Sequence, residues 1–136
     1  MSRISPHIAF NGNCAEAIKF YETAFKTTAQ VFFYKDSPPD PNWPIPPGKE
    51  NWVMQAALDV FKGFKLQLCD CSDQGSNPGT NICLQLTYQR ADEITEIYNA
   101  LSDGGKILCP LGKQFWADLY GEFVDKFGIR WSVMSE

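Results

Sequence analysis

Along the chain the apolar positions switch between a period of two and a period near 3.6, and the switches fall in a similar order twice. Ile8-Ala9-Phe10 predicts a short strand, closed by Asn11-Gly12-Asn13, a turn that also suits a helix cap. Residues 15–25 predict an amphipathic helix with Ala17, Phe20, Tyr21 and Ala24 on its apolar face. Residues 29–34, rich in Val and Phe, predict a strand, and 52–60 with 64–69 predict a hairpin turning through Phe61-Lys62-Gly63. The intervening stretch 37–48 holds six prolines, with Trp43 and Ile45 its large apolar residues. That is a loop, because proline has no N–H to give a ladder. Residues 73–80, with Gly, Ser, Asn and Pro, read as a linker. Beyond it the order recurs: a strand over 82–87, a helix over 91–102, a stop at Gly104-Gly105, then strands around 106–108, 115–123 and 129–134.

The recurrence is visible in the residues themselves. C-A-E-A-I-K-F-Y-E-T-A at 14–24 and A-D-E-I-T-E-I-Y-N-A-L at 91–101 superpose after a slide of 77 positions. Glu16 then falls on Glu93, Ala17 on Ile94, Phe20 on Ile97 and Tyr21 on Tyr98. Two copies make a duplication within one domain, not a solenoid. The expectation is an α+β domain over 1–136 in two β-α-β-β-β modules, 1–72 and 81–136, joined by the linker 73–80, with a functional cleft between the halves.

Composition narrows the partners. Apolar residues make up 44% of the chain and charged residues 21%, which suits one globular core. A net charge of −4 with scattered Lys and Arg argues against nucleic acid, whose binding draws on clustered basic residues. No basic, then apolar, leader opens the chain, and no apolar run approaches the roughly 20 residues that span a bilayer, so the expectation is a cytoplasmic protein with no membrane partner. The five cysteines, at 14, 69, 71, 83 and 109, form no disulfide framework, and buried thiols are the expectation. Cys69 and Cys71 share a strand face, but zinc needs a fuller ligand set than they and the single His7 provide.

Several fragments together carry a family resemblance. Phe10-Asn11-Gly12-Asn13-Cys14-Ala15-Glu16-Ala17, Phe20-Tyr21, Gly104-Gly105-Lys106-Ile107, Pro110-Leu111, Phe115-Trp116, Tyr120-Gly121, Asp125-Lys126-Phe127-Gly128 and Trp131 occur in the order found in the PhnB-like branch of the vicinal oxygen chelate superfamily. The chain resembles that branch over nearly its whole length except the proline loop. The superfamily includes glyoxalase I, extradiol dioxygenases and antibiotic-resistance proteins. The resemblance implies paired β-α-β-β-β modules whose sheets curl into half-open barrels around a cavity. It also implies a homodimer. Members of the branch are often labelled ubiquinone methyltransferases, yet no Gly-rich strand-to-helix turn of a nucleotide-like cofactor site is present.

In metal-dependent superfamily members, side chains on the strands hold one divalent ion, which binds two neighbouring substrate oxygens. Carried over by position, the ligands fall near Pro6 or His7, near Gln67, near Asn81 and at Ser132. Proline offers no donor, serine is a poor ligand and no carboxylate balances the charge, so the resemblance implies a fold without its metal. Where relatives carry Met-His-Ala, this chain has Met54-Gln55-Ala56.

The remaining candidates carry two readings each. His7 is a base or ligand, or else a solvated surface residue. Gln55 orients a substrate carbonyl, or is a satisfied strand side chain facing solvent. Asp125, opening a turn, is expected to bond that turn's amides. Phe115, Trp116, Tyr120 and Trp131 line a ligand site or pack the core. Cys69 or Cys83 is a nucleophile only beside a base or a positive charge. The 37–48 loop is a lid, a cover over part of a partner subunit, or a surface excursion. Three functions remain open: a small-organic-molecule binder with no metal or other cofactor; a divalent-metal enzyme of the glyoxalase or dioxygenase type; and a structural or regulatory homodimer. The first is preferred, with His7, Gln55, Gln67, Asn81, Trp116, Tyr120 and Ser132 as its ligand-binding residues.

Overall fold

The computed structural model describes residues 2–42, 44–71 and 75–136. Its contacts divide the chain into two units, Met1–Ser76 and Asn77–Glu136. The first unit runs β1 (His7–Phe10), α1 (Cys14–Phe25), β2 (Gln30–Phe33), a 3-10 turn (Tyr34–Asp36), β3 (Val53–Phe61) and β4 (Phe64–Asp70). The second runs β5 (Leu84–Tyr88), α2 (Ala91–Ser102), β6 (Lys106–Gln114), β7 (Ala117–Val124) and β8 (Arg130–Ser135). The two helices each span twelve residues and begin 77 positions apart, as the repeated segments do.

Each unit carries an open, four-stranded mixed sheet, in the orders β1-β4-β3-β2 and β5-β8-β7-β6. The pairs β1–β4 and β5–β8 are parallel, and the others antiparallel. This is the expected α+β architecture of two β-α-β-β-β modules. Each helix covers one face of its sheet. In the first unit Ala17, Ile18 and Tyr21 pack from α1 against Ala56, Leu58 and Leu68, all buried. In the second, Ile94, Ile97 and Leu101 of α2 meet Phe123, Trp131 and Val133. Each such large side chain contributes about 1.5–3 kcal/mol on leaving water.

Two buried carboxylates tie the units internally. Asp70, at the end of β4, accepts the backbone N–H groups of Gly12 (2.8 Å), Cys14 (3.0 Å) and Val53 (3.0 Å). It fixes the β1–α1 turn and the start of β3 at once, and it caps α1 in place of Asn13, whose side chain does not cap. Asp125 accepts the N–H groups of Phe127 (2.9 Å) and Ile129 (3.0 Å) and the Trp131 indole N–H (2.9 Å). The turn role expected of Asp125 is the one it has.

Four local expectations change. The apolar face of α1 is Cys14, Ala17, Ile18 and Tyr21, with Phe20 and Ala24 only half-buried. The strand expected to stop near 108 continues through Pro110 to Gln114, and the hairpin turns at Phe115-Trp116. Pro110 is tolerated there because β6 is an edge strand and its missing N–H breaks no second ladder. Strand β5 starts at Leu84, leaving Ile82 exposed. Of the five thiols only Cys14 is buried; Cys83 is exposed and the other three are half-buried, because they sit outside the helix-covered faces. The loop 37–48 is irregular with Ile45 half-buried, and Trp43, named with it, lies outside the described residues. No helix among the described residues is long and apolar enough to cross a membrane.

Candidate functional site

Strand alternation sends to the opposite, helix-free face of each sheet the side chains that α1 and α2 do not cover. In the first unit Leu66, Leu68 and Asp70 of β4 are buried, whereas Gln67 and Cys69 are half-buried on the other face. His7 on β1 pairs with Gln67, and Gln67 pairs with Ala57 on β3. One step along, Cys69 pairs with Ala9, and Gln55 of β3 pairs with Phe32 of β2. Gln55 shares this face with Ala57 by plain alternation about the buried Ala56, and the register shift beyond it, over Met54, turns Val53 to the buried side. Its Nε2 donates to Oε1 of Gln67 at 2.5 Å. The structure thus brings together His7, Gln55 and Gln67 on one open face, with His7 exposed at its margin.

The second unit builds a denser cluster. Tyr98 of α2 stands edge-on to Phe123 at 5.5 Å and crowds Gly121, so Phe123 and Gly121 face the helix. Tyr120 and Glu122, their alternates on β7, face away from it. The Tyr120 hydroxyl donates to Glu122 Oε2 at 3.2 Å, and Arg130 Nε donates to Glu122 Oε1 at 2.5 Å. A second guanidinium nitrogen of Arg130 closes the ion pair, and Nη1 donates to the carbonyl of Thr80 at 3.0 Å. Ser132 lies between Glu122 and Gln85 in the β7–β8–β5 register, 2% exposed, and its hydroxyl bonds to Tyr120. Burial first, then the Glu122 carboxylate, hold the Tyr120 phenol above its ordinary range, and the Ser132 bond works against that rise. Arg130 is held further into its charged form, chiefly by its hydrogen bond to Glu122.

At the hairpin tip the indole of Trp116 sits between two other rings, 4.8 Å from Phe115 and 5.4 Å from Tyr120, edge to face in both cases. Trp116 is 51% exposed, so it does not belong to the core, whereas Trp131 is buried there. Asn81 lies exposed in the segment ahead of β5, next to Thr80, whose carbonyl accepts from Arg130; the polar β5 residue beside Ser132 is Gln85. Gln85, Glu122 and Arg130 were not among the residues expected from sequence. Their signal is the alternation Tyr120-x-Glu122 and Arg130-x-Ser132, which becomes a cluster only once the register of β7 on β8 is known.

These residues do not fit the divalent ion of the superfamily. The Gln67 oxygen is engaged by Gln55, and the Ser132 hydroxyl is a poor ligand for such an ion. Neither Asn81 nor exposed His7 supplies a carboxylate, and the described residues contain no group of three or more His, Cys, Asp or Glu placed to hold a metal ion. The β1–α1 turn is likewise unsuited to cradle a nucleotide-like cofactor, because its Gly12 and Cys14 N–H groups point at Asp70.

Two mixed sheets, each with one helix-covered and one open polar face in the β-α-β-β-β order, define a glyoxalase-type protein. A glyoxylase/bleomycin resistance protein/dioxygenase domain from Frankia sp. EAN1pec shares the fold, with a TM-score of 0.67 at 11% identity over 99% of this chain and 92% of that one. A family model described as 3-demethylubiquinone-9 3-methyltransferase matches residues 2–134, and the chain belongs to that family, the PhnB-like branch of the vicinal oxygen chelate superfamily. Protein PA1353 from Pseudomonas aeruginosa is 30% identical with a TM-score of 0.86, covering 100% of this chain and 98% of its own. The PhnB protein from Bacillus cereus, whose description also names 3-demethylubiquinone-9 3-methyltransferase, is 26% identical with a TM-score of 0.74, covering 99% and 100%.

Proposed function

We propose that this chain binds a small organic molecule on its open sheet faces, without a divalent ion. The observation that carries the reading is the Tyr120–Glu122–Arg130–Ser132 cluster bordered by the half-exposed Trp116. Binding sites for small molecules combine apolar and aromatic surface with a few fixed polar groups. Here the indole offers apolar area, while hydroxyl, carboxylate and guanidinium are held in register by one another. The cluster is neutral as a whole, because Arg130 balances Glu122. It therefore suits a planar, weakly charged molecule that exchanges hydrogen bonds with Tyr120 and Ser132 while its ring contacts Trp116. Gln55 and Gln67 form a second polar pair of the same kind, able to open their mutual hydrogen bond to a carbonyl or amide.

A screen of small aromatic acids, phenols and amides by thermal shift, followed by calorimetric titration, tests this. A molecule that binds saturably should lose about fivefold in affinity on Tyr120→Phe or Ser132→Ala, since one hydrogen bond is worth about 1 kcal/mol. Saturable binding that neither substitution alters would overturn the assignment of the site.

A further inference from the structure

Cys69 and Cys71 are left unused by the proposed site, and their placement is unlike that of the other three cysteines. They stand at i and i+2 across the end of β4, Cys69 within the strand and Cys71 just beyond it, and extended backbone sends both side chains to the same face of the sheet. Cys71 keeps that geometry although it lies one residue past the strand, because its N–H continues the parallel ladder by donating to the Phe10 carbonyl at 2.8 Å. Asp70 between them is buried and holds three backbone amides, so the backbone carrying both thiols is anchored. Neither cysteine is in a disulfide, and both are half-exposed.

Spacing decides what such a pair can do. A strand rises about 3.3–3.4 Å per residue, which puts the two Cα atoms roughly 6.7 Å apart. That is the outer limit of the range a disulfide takes, about 4.4–6.8 Å, so direct closure is disfavoured. Sulfur atoms leaning towards each other can instead sit about 4.6 Å apart, twice a metal–thiolate bond of about 2.3 Å. Zinc would need two more protein ligands, which the described residues do not gather. Soft, low-coordinate monovalent ions such as copper(I) need only the two sulfurs.

We propose that Cys69 and Cys71 form a dithiol clip for a soft monovalent metal ion of the copper(I) type. Two S–H bonds are replaced by two sulfur–metal bonds, both protons pass to solvent, and the ion keeps its oxidation state. Burial first, then the neighbouring Cys71 and Asp70, raises the pKa of the Cys69 thiol above its ordinary value.

The test is anaerobic titration of the full chain with copper(I) against a coloured competing chelator. One ion per chain is expected, with Cys69→Ser and Cys71→Ser each weakening uptake by on the order of a hundredfold, the gain a second tethered ligand gives. Cys83→Ser and Cys109→Ser should leave uptake unchanged. Alkylation mapping of the unsubstituted chain checks the same point without any variant: bound copper(I) should protect Cys69 and Cys71 together while Cys83 still reacts. Uptake indifferent to either serine variant, or alkylation of Cys69 and Cys71 undiminished by the ion, would overturn the proposal.

Discussion

The residues that matter most to the integrity of each unit are polar. Asp70 and Asp125 are buried, and each satisfies three donors that would otherwise be left without a partner in a dry environment. Removing such an acceptor costs more than the bonds themselves are worth, because the orphaned N–H groups remain buried. Asp125→Ala should therefore lower stability by about 3 kcal/mol in urea unfolding, well beyond the usual effect of a turn substitution. A loss under about 1 kcal/mol would mean the turn finds other acceptors. Asp125 was legible in the sequence, since Asp at the head of a turn ending in Gly128 has one common use. Asp70 was not. Between two cysteines on a strand it reads as an ordinary alternating residue, and its partners lie 17 to 58 positions away.

At the scale of elements, both helices were legible because an apolar face of period 3.6 survives in any tertiary setting, and α2 spans the expected residues 91–102. Strand β6 was legible only in its first residues, 106–108. Beyond them Pro110, Gly112 and Lys113 carry no strand pattern, and the pairing of Gly112 with Tyr120 and Gln114 with Ala117 makes them a strand. The α2–β6 junction carries a tight constraint. A Cβ on Gly105 would lie 2.1 Å from the Val124 carbonyl oxygen, a backbone atom that cannot swing aside. Gly105→Ala should cost about 2–3 kcal/mol in chemical denaturation, as overpacking at a fixed backbone does. A near-neutral effect would show that the junction moves freely.

The β5–α2 pairing also sets a pH dependence. Tyr88, at the end of β5, has its phenol pushed up to about 12 by burial, then by Glu93 and Glu96 of α2. In the unfolded chain the same phenol ionises near its ordinary value of about 10. The folded state thus keeps a proton that the unfolded state releases, so stability is complete below pH 10 and falls as pH rises towards 12. Urea unfolding between pH 8 and 12 should show that decline, and Tyr88→Phe should flatten it. An unchanged slope in the variant would place the titration elsewhere.

For the whole molecule, the duplication was the most legible feature, since 77-residue spacing of the segments is the spacing of the helices. The site was only partly legible. Tyr120 and Ser132 meet, and Gln55 bonds Gln67, but Glu122 and Arg130 join the cluster through cross-strand register, which alternation alone leaves open by one residue. Asn81 was carried over from a family position, and in this chain it precedes β5. Membership in the PhnB-like family sets the fold, while the chemistry rests on the side chains that this chain places on its open faces.

The most direct measurement is a backbone-amide NMR titration of the uniformly labelled chain in metal-free buffer with the tightest molecule from the small-molecule screen. Saturable shifts concentrated on the open-face residues, above all Tyr120, Glu122, Arg130 and Ser132, are predicted. Shifts that map to α1 or α2, or that need an added divalent ion to appear, would contradict a metal-independent site on the open sheet faces.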